Sequence, residues 1–291
     1  MAIIELRHLV RAMPNGARLR KRRGRPLKPV KPSHKVELWY KQQLLAVVAR
    51  LRQAARETLL PELRVLELLY ANTADGIVRD AKVPRRSLET TFQRLAQRFG
   101  GIDQTAHRMA GMVVQRSADM VDERLSASIK ASVSIDISPV LTRAGPILDA
   151  MTAATKDNID LIKSIPEQYF EKLGDAVGKN MERGMRFEDL AKEIERIGDV
   201  TESRAKLIAR DQTSKMNGAF NEARQTSLGI DRYRWQTAGD ERVREEHAEN
   251  DGKVFRWSDP PATGHPGHDV NCRCVAIPVF DLDEMEKELG L

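Results

Sequence analysis

The composition predicts a soluble, mainly helical protein. The chain has 291 residues, of which 31% are charged and 5% are aromatic, and it contains two cysteines. Ala, Leu, Arg and Glu recur throughout, which favours long amphipathic helices over a large sheet. No apolar run approaches the roughly 20 residues that a bilayer-spanning helix needs, and the N-terminus lacks a signal-peptide pattern. These features argue against a membrane protein and against a disulfide scaffold, and we expect the chain to be found in the cytoplasm.

Positive charge is concentrated at the N-terminus. Residues 1–35 contain eleven Lys and Arg against one acid, Glu5, a net charge of +10; because the whole chain has a formal charge of +6, the remainder sums to −4. Pro26, Pro29 and Pro32 recur at intervals of three, which predicts an extended, non-helical arm. A basic arm on a nearly neutral body indicates a polyanionic partner, and a solvated tail without a partner is the alternative. The predicted DNA-binding residues are Arg18, Arg20, Lys21, Arg22, Arg23, Arg25, Lys28 and Lys31.

One short stretch of the arm, Arg23-Gly24-Arg25-Pro26, resembles the core of an AT-hook. In such a motif glycine permits close approach, and the arginines enter the negative potential of a narrow A·T-rich minor groove. Sequence-independent binding to phosphates explains the same residues more simply. A stand-alone, nucleoid-type DNA-binding protein, with the helical body as a dimerisation scaffold, is therefore one hypothesis for the function.

The spacing of apolar residues divides the rest of the chain into helical regions and a small mixed module. From residue 36 onwards apolar positions recur at helical spacing, and β-like stretches appear only near the C-terminus. We predict a mainly α fold: a long helical, bundle-like body, a basic disordered or extended N-terminal arm, and a small C-terminal α+β module. The predicted segments are the arm at 1–35, a helical domain at 36–132, a helical linker region at 133–174, a C-terminal domain at 175–280 and a closing helix at 281–291.

Local signals predict several boundaries inside these segments. Residues 132–139, SVSIDISP, alternate like a short strand or an extended linker. Pro166 predicts a helix start, Gly198 predicts a helix end, and Thr201 predicts the cap of a longer helix that stops at Gly229. After that glycine, IDRYRWQT and GKVFRW are short, aromatic and β-like.

Residues 265–274, HPGHDVNCRC, combine two histidines with both cysteines of the chain. Such a segment suits a metal site, a nuclease site, a disulfide turn or a polar loop. A disulfide across one intervening residue would close a small, strained ring. An HNH-type nuclease needs a later histidine to help hold its metal ion, and none follows Asn271. Because the sequence also has no G-x-S-x-G elbow and no G-x-x-x-x-G-K-[ST] phosphate loop, we expect a protein that is not an enzyme.

Four phrases follow one another in the C-terminal half: RGMRFEDLAKEI, SRAKLIARDQTSKMNGAFNEAR, GIDRYRWQTAGDERVREEHAENDGKVF and HPGHDVNCRC. In this order and spacing, over roughly residues 175–280, they resemble the phage head-morphogenesis family typified by the phage Mu F protein, the minor head or minor capsid proteins. The resemblance implies a virion protein of a tailed phage, located inside the head near the portal and present in the host cytoplasm during assembly. It also implies a role in head assembly and in DNA packaging or ejection. The implied partners are the portal protein, major capsid or scaffold proteins and packaged double-stranded DNA, and no membrane.

The same resemblance implies a set of metal ligands. Many members of the family carry a Cys-x-x-Cys pair just before the DGKVF phrase, and these two positions are Arg244 and His247 here. The remaining candidates make a Cys2His2 set, as a structural Zn²⁺ requires. They are His247, His265, Cys272 and Cys274, with His268 as the alternative to His265. A metal ion would also cross-link a small module that buries little apolar area. A metal-free cluster, with buried thiols and a hydrogen-bonded His247, is the alternative.

A second polar phrase surrounds Asp240, Arg242 and Arg244. These side chains could position a backbone or contact DNA, but we expect a buried Asp–Arg pair that ties the β-like segment to the preceding helix. Arg210 and Asp211 in that helix are further pairing partners. The residues assigned this structural role are Asp240, Arg242 and Arg210.

Overall fold

The computed structural model describes residues 27–71, 82–182 and 187–279. This part of the chain is mainly helical and has one small antiparallel sheet, which confirms the predicted fold class. Its helices are α1 (His34–Ala54), α2 (Leu60–Ala71), α3 (Lys82–Arg98), α4 (Ile102–Val133), α5 (Pro146–Glu182), α6 (Phe187–Ser227) and α7 (Glu245–Ala248), with a π-helical turn at Ala55–Leu59 and a 3-10 turn at Ser138–Val140. Its strands are β1 (Arg232–Gln236), β2 (Val254–Arg256) and β3 (Val275–Val279). The arm residues 1–26 and the predicted closing helix at 281–291 lie outside the described residues.

The described residues form two compact units. The first unit contains residues 27–37, 111–156 and 210–279. The second contains residues 38–71, 82–110, 157–182 and 187–209. The sheet, both cysteines and the last part of the arm belong to the first unit. Among the helices that the structure describes, none has the length and apolar character needed to cross a membrane.

α5 runs without a break through Pro166, so the prediction of a helix start at this residue is wrong. A proline inside a helix removes one backbone hydrogen bond and costs roughly 3 kcal/mol. The apolar stripe of the helix nevertheless continues on both sides of it, because Ile162, Ile165, Tyr169 and Leu173 are all buried at helical spacing. Burial of this stripe keeps the helix intact across the proline.

α6 likewise continues through Gly198 and Thr201, where the sequence predicted a helix end and a new cap. A Cβ atom at Gly198 would lie 2.9 Å from Nε of Arg52, so the glycine allows the Arg52 side chain to pack against the helix. Thr201 donates its hydroxyl to the carbonyl of Ile197 one turn earlier and caps nothing. The later boundary is confirmed, because α6 ends just before Gly229, which adopts a φ of +75°.

Residues 134–137, the middle of the stretch predicted as a short strand or an extended linker, connect α4 to the 3-10 turn and belong to no helix or described strand. They pair with no described strand, so the alternative prediction of a strand is wrong. Ser134 ends α4 with a φ of +65°, and Ile135 and Ile137 are then both buried. Ile137 has a φ of −92° and a ψ of −6°, so the alternating pattern reflects a short turning connection of the first unit that buries two isoleucines.

The sheet has the order β2-β1-β3, and both pairings are antiparallel. In the central strand, Tyr233 and Trp235 are fully buried on one face, whereas Arg232 and Arg234 lie on the other. The core on the buried face is completed by Phe255, Trp257, Cys272, Cys274 and Ala276. The two cysteines are therefore part of the core of the C-terminal module.

A buried ion pair joins three segments of the first unit. The Arg224 side chain is 3% exposed and donates from Nε and Nη2 to the two carboxylate oxygens of Asp122, at 2.6 and 2.8 Å. Its Nη1 donates to the carbonyl of Thr142 at 2.7 Å. Arg143 hydrogen-bonds both Asp122 and the exposed Asp119. The buried guanidinium of Arg224 therefore connects α4, the loop between the 3-10 turn and α5, and α6 itself.

Replacing Asp122 should destabilise the protein much more than replacing its neighbour Asp119. Asp122→Ala leaves the buried Arg224 charge without its carboxylate, which costs about 3 to 5 kcal/mol. Asp119→Ala removes only exposed contacts, with Arg143 and with Gln115, and should cost less than about 1 kcal/mol. Urea unfolding of the two variants measures the difference, and equal midpoints would contradict the role given to this ion pair.

Candidate metal centre

Three of the predicted ligands meet in the first unit: His247, Cys272 and Cys274. His247 lies on the short helix α7, Cys272 lies in the loop before β3, and Cys274 directly precedes that strand. All three are buried, and their ligand atoms all lie within 4.8 Å of one another. Both cysteines are free thiols. The structure thus assembles a compact donor set from two segments that are 25 residues apart.

The geometry of this cluster fits a tetrahedral metal ion. Nδ1 of His247 lies 3.6 Å from the Sγ atoms of both Cys272 and Cys274. A zinc ion with Zn–N and Zn–S bonds of about 2.0 and 2.3 Å at a tetrahedral angle separates its N and S ligands by about 3.5 Å. The observed separations therefore match the ligand–ligand edges of such a site.

The imidazole of His247 is oriented for ligation. Its Nε2 donates a hydrogen bond to Oδ2 of Asp269 at 3.0 Å, which leaves Nδ1 facing the two sulfurs. Asp269 is in turn held by Nη1 of Arg244 at 3.1 Å. A carboxylate on the far nitrogen of a histidine fixes its tautomer and is typical of metal-ligating imidazoles. Trp235 packs edge-to-face against the same ring, with centroids 5.4 Å apart.

The two thiols differ in acidity because one donates a hydrogen bond to the other. Cys274 donates a hydrogen bond to the sulfur of Cys272, which lowers the pKa of Cys272 to about 5. The backbone N–H of Gly267 also donates to Sγ of Cys272, at 3.4 Å. The same hydrogen bond, together with burial, raises the pKa of Cys274. A metal ion bound here would hold both sulfurs as thiolates, so its binding would release protons.

Residues at the middle of α6 hold the loop that carries Cys272. Asp211 accepts the backbone N–H of Asn271 at 2.7 Å, and Arg210 donates to the Asn271 side-chain oxygen at 2.8 Å. Ser214 donates its hydroxyl to the carbonyl of Cys272. Asn271 itself has a φ of +59°, a conformation that asparagine adopts more readily than most residues. The polar side chains of the helix therefore fix the backbone on which the thiol is placed.

The loop also approaches α6 more closely than a side chain would allow. A Cβ atom at Gly218 would lie 2.7 Å from the carbonyl oxygen of Pro266. Gly267, with a φ of +92°, packs against the same turn of the helix, since a Cβ there would lie 3.3 Å from the Cα of Gly218. Two glycines thus bring the loop and the helix into backbone contact.

Gly218→Ala should destabilise the protein, although alanine is the better helix former by up to about 1 kcal/mol. The added methyl group meets a backbone carbonyl, so the loop at Pro266 must move away from α6. Gly178→Ala in α5 is the matched control, because nothing lies within 4 Å of a Cβ at that position. Thermal unfolding should show a lower Tm for Gly218→Ala and an equal or higher Tm for Gly178→Ala. A stabilised Gly218→Ala variant would show that the close approach has no energetic role.

The structure does not bring His265 or His268 to this cluster. Nδ1 of His265 shares a hydrogen bond of 2.9 Å with the hydroxyl of Tyr233, and its ring packs against Trp257 with centroids 4.9 Å apart. Burial lowers the pKa of His265. Nε2 of His268 faces a carboxylate oxygen of Glu222 at 3.4 Å. Both imidazoles have partners of their own, and the cluster that the described residues form contains His247, Cys272 and Cys274.

The predicted polar residues form different pairs from those expected. Asp240 pairs with Arg273, between the two cysteines, and both side chains are partly exposed. Arg242 contributes only its backbone N–H to Asp240, at 3.1 Å. Arg210 donates to the side-chain oxygen of Asn271 and pairs with no aspartate in the described part of the chain. The expected buried pair to α6 is therefore replaced by an exposed pair that braces the Cys-x-Cys turn.

Residues 27–33, the described end of the arm, form a strap across the first unit. The Ser128 hydroxyl accepts the N–H of Lys28 at 2.8 Å and donates to its carbonyl at 2.9 Å. Asn217 donates to the carbonyl of Val30 at 2.9 Å, and the Val30 side chain is fully buried. The side chains of Lys28 and Lys31 remain exposed. Of the predicted DNA-binding residues only these two are described, and both lie on this strap.

A comparison with known protein families gives a match for the C-terminal part of the chain. Residues 171–277 match the family model described as Phage Mu protein F like protein. This segment is therefore similar to the Phage Mu protein F like family. The match confirms the resemblance that the order of the four sequence phrases carried.

Two similar proteins extend the comparison beyond this segment. An uncharacterized protein of Haemophilus influenzae is 38% identical over 275 residues, which cover 94% of this chain and 59% of the relative. An uncharacterized protein of Methanocaldococcus jannaschii is 29% identical over 136 residues, which cover 43% of this chain and 21% of the relative. The chain therefore spans little more than half of the first relative and about a fifth of the second. No solved structure matches the chain.

The segment that matches the family model contains His247, Cys272, Cys274 and the helix α6 that supports them. The resemblance to the phage head-morphogenesis family implied His247, Cys272 and Cys274 as ligands. Asp269 and Ser214 were missed as contributors, although Asp269 stands within HPGHDVNCRC and could have been considered as a partner of a histidine. Ser214 carries no such signal, because its role depends on a carbonyl 58 residues away.

Proposed function

We propose that this protein is a minor head protein of a tailed phage, bound at the portal vertex and acting in head assembly and in DNA packaging or ejection. The observation that carries the proposal is the match of residues 171–277 to the Phage Mu protein F like family. Other head components, the portal protein and major capsid or scaffold proteins, are the partners that this role requires. The protein then acts inside the head near the portal, after assembly in the host cytoplasm.

The basic arm is the part of the molecule that we assign to packaged DNA. Its net charge of +10 attracts phosphates without regard to sequence. The strap supports this assignment. It fastens the base of the arm to the first unit through the backbone of Lys28 and Val30, and the side chains of Lys28 and Lys31 stay exposed. The arm would thus carry DNA contacts from a fixed point on the protein.

We further propose that the protein is not an enzyme and that its metal centre is a structural zinc site. His247, Cys272 and Cys274 would hold the ion, and their burial and mutual distances suit a closed site. Bound there, zinc would cross-link α7, the Cys-x-Cys turn and the start of β3. A tetrahedral zinc needs one more ligand, and the variants below identify it.

Full-length protein purified without chelators should contain about one zinc ion per chain. His247→Ala, Cys272→Ser and Cys274→Ser should each lose the ion and lower the Tm, whereas His107→Ala, at an exposed histidine of α4, should change neither. Asp269→Asn should keep the site but weaken zinc binding about 10- to 100-fold. Loss of zinc in either His265→Ala or His268→Ala would identify the fourth ligand. Elemental analysis and thermal melts make these measurements. A zinc-free protein whose Tm does not respond to added zinc would contradict the zinc site and leave the head function untouched.

The head function is tested in purified phage. Mass spectrometry should find the protein in mature heads of the phage that encodes it, and the protein should copurify with portal rings. A variant with Gln at Arg18, Arg20, Lys21, Arg22, Arg23 and Arg25 should still bind portals, because the strap is unchanged, but should bind DNA weakly. Absence from heads and portal complexes, together with DNA binding that accounts for all activity, would instead favour the stand-alone DNA-binding protein.

A further inference from the structure

The turn at residues 265–268, His-Pro-Gly-His, places two histidine side chains next to each other. The backbone N–H of His268 donates to the carbonyl of His265 at 3.2 Å, and Gly267 between them has a φ of +92°. Proline followed by a residue with positive φ is typical of a type II turn, which brings its first and fourth residues together. The two imidazole rings accordingly have centroids 5.3 Å apart.

This turn faces Glu222 of α6. Gly218, one helical turn before Glu222, lies against the backbone of Pro266, so the turn is held on this side of the helix. The carboxylate of Glu222 is then close to both imidazoles. Its Oε1 lies 3.9 Å from Nε2 of His265, and its Oε2 lies 3.4 Å from Nε2 of His268. Two imidazole nitrogens and one carboxylate therefore lie together beside α6.

We infer that Glu222, His265 and His268 form a second site for a divalent transition-metal ion, separate from the candidate metal centre. We call these three residues the His-Glu site. The inference goes beyond the proposed function and depends neither on the head role nor on zinc at the candidate metal centre. Two imidazoles and one carboxylate are a donor set that binds Zn²⁺, Fe²⁺ and similar ions.

The separations in the His-Glu site suit such an ion. Two imidazoles bound through Nε2 to one tetrahedral ion have ring centroids about 5 Å apart, close to the separation observed. Nitrogen and oxygen ligands of the same ion are about 3.4 Å apart, so His268 already lies at this distance from Glu222, and His265 needs an approach of about 0.5 Å. The Glu222 side chain is 31% exposed and can make this small movement. Each ring faces a different oxygen of Glu222, as in a carboxylate that binds an ion through both oxygens.

The imidazole of His265 is oriented from its other side. Its Nδ1 shares a hydrogen bond of 2.9 Å with the hydroxyl of Tyr233, whose side chain is fully buried. When Nδ1 donates to that hydroxyl, Nε2 keeps its lone pair for a metal ion. An oxygen partner on the far nitrogen is the usual arrangement of metal-binding histidines. The side chain of His268 is 44% exposed, so an ion can enter from solvent and complete its coordination with water.

One turn thus contributes to two different sites. Gly267 donates its backbone N–H to Sγ of Cys272, whereas the histidines at the two ends of the turn face Glu222. The candidate metal centre is buried and contains two thiols, and the His-Glu site is partly exposed and contains none. Because only three protein groups supply ligands, we expect the His-Glu site to bind its ion more weakly than a closed site and to lose it during purification.

Titration of the full-length protein with Co²⁺ tests the His-Glu site. Cobalt bound by thiolates has an intense charge-transfer absorption in the near ultraviolet, which cobalt bound by nitrogen and oxygen lacks, so the two sites are observed separately. Calorimetry should detect a binding event without this absorption. Glu222→Gln and His268→Ala should each weaken that event by more than the roughly 10- to 100-fold that loss of an outer hydrogen-bond partner costs, because they remove a ligand itself. The charge-transfer absorption should be the same in wild type and in both variants.

Glu171→Gln is the matched control, because Glu171 is an exposed glutamate of α5 in the second unit. It should leave both cobalt signals unchanged. Thermal melts without added metal show whether each variant keeps its fold. His268→Ala should keep it, since the side chain that it removes is partly exposed.

The outcomes separate this inference from the proposed function. Equal cobalt binding in wild type and in both variants would overturn the His-Glu site and leave Glu222 as an ion-pair partner of the histidines. Loss of the charge-transfer absorption in His268→Ala would also overturn it, because His268 would then be a ligand of the candidate metal centre. If wild type lacks that absorption but keeps a binding event that depends on Glu222, the zinc proposal fails and the His-Glu site stands. The presence of the protein in phage heads is decided by neither result.

Discussion

The first unit depends on one polar stripe along the C-terminal half of α6. Four side chains at helical spacing, Ser214, Asn217, Asn221 and Gln225, each donate to a backbone carbonyl of a segment that is not helical. Those carbonyls belong to the Cys272 turn, to the strap and to β3, and all four side chains are buried. Because a buried carbonyl without a donor costs roughly 1 to 3 kcal/mol, the stripe determines where these three segments can lie.

The candidate metal centre and the proposed DNA contacts both follow from that stripe. The turn that carries Cys272 and the strap that precedes α1 are attached to positions 214 and 217, one helical turn apart. At the next position, Gly218, the absence of a side chain admits the loop at Pro266. A metal ion that tightens the Cys-x-Cys turn would therefore stabilise the same stretch of helix to which the base of the arm is attached. In a head protein, this connection would fasten the DNA bound by the arm to the first unit.

The sequence predicted this molecule best where apolar periodicity or a compact motif carries the information. α4, the end of α6 and the aromatic strand β1 follow from such patterns, and His247, Cys272 and Cys274 follow from spacing and resemblance. The helix start predicted at Pro166 and the helix end predicted at Gly198 are wrong, because local rules for helix ends do not include the buried apolar stripes that continue through both residues. The polar stripe of α6 was not anticipated, since polar residues on a helix ordinarily indicate a face in contact with water. The resemblance implied His265 as a metal ligand, and the hydrogen bond that it makes with Tyr233, 32 residues away, could be recognised only in the fold.

We expect α6 to hold the strap, the Cys-x-Cys turn and β3 as one cooperative structure. Hydrogen exchange of the native protein, followed by mass spectrometry in wild type and in Asn217→Ala, tests it most directly. In wild type, peptides covering residues 27–33, 210–227 and 265–279 should show strong and similar protection. In the variant, protection should fall in all three, although only the bond from Asn217 to Val30 has been removed. Loss of protection confined to residues 27–33, with the turn and β3 unchanged, would contradict the account.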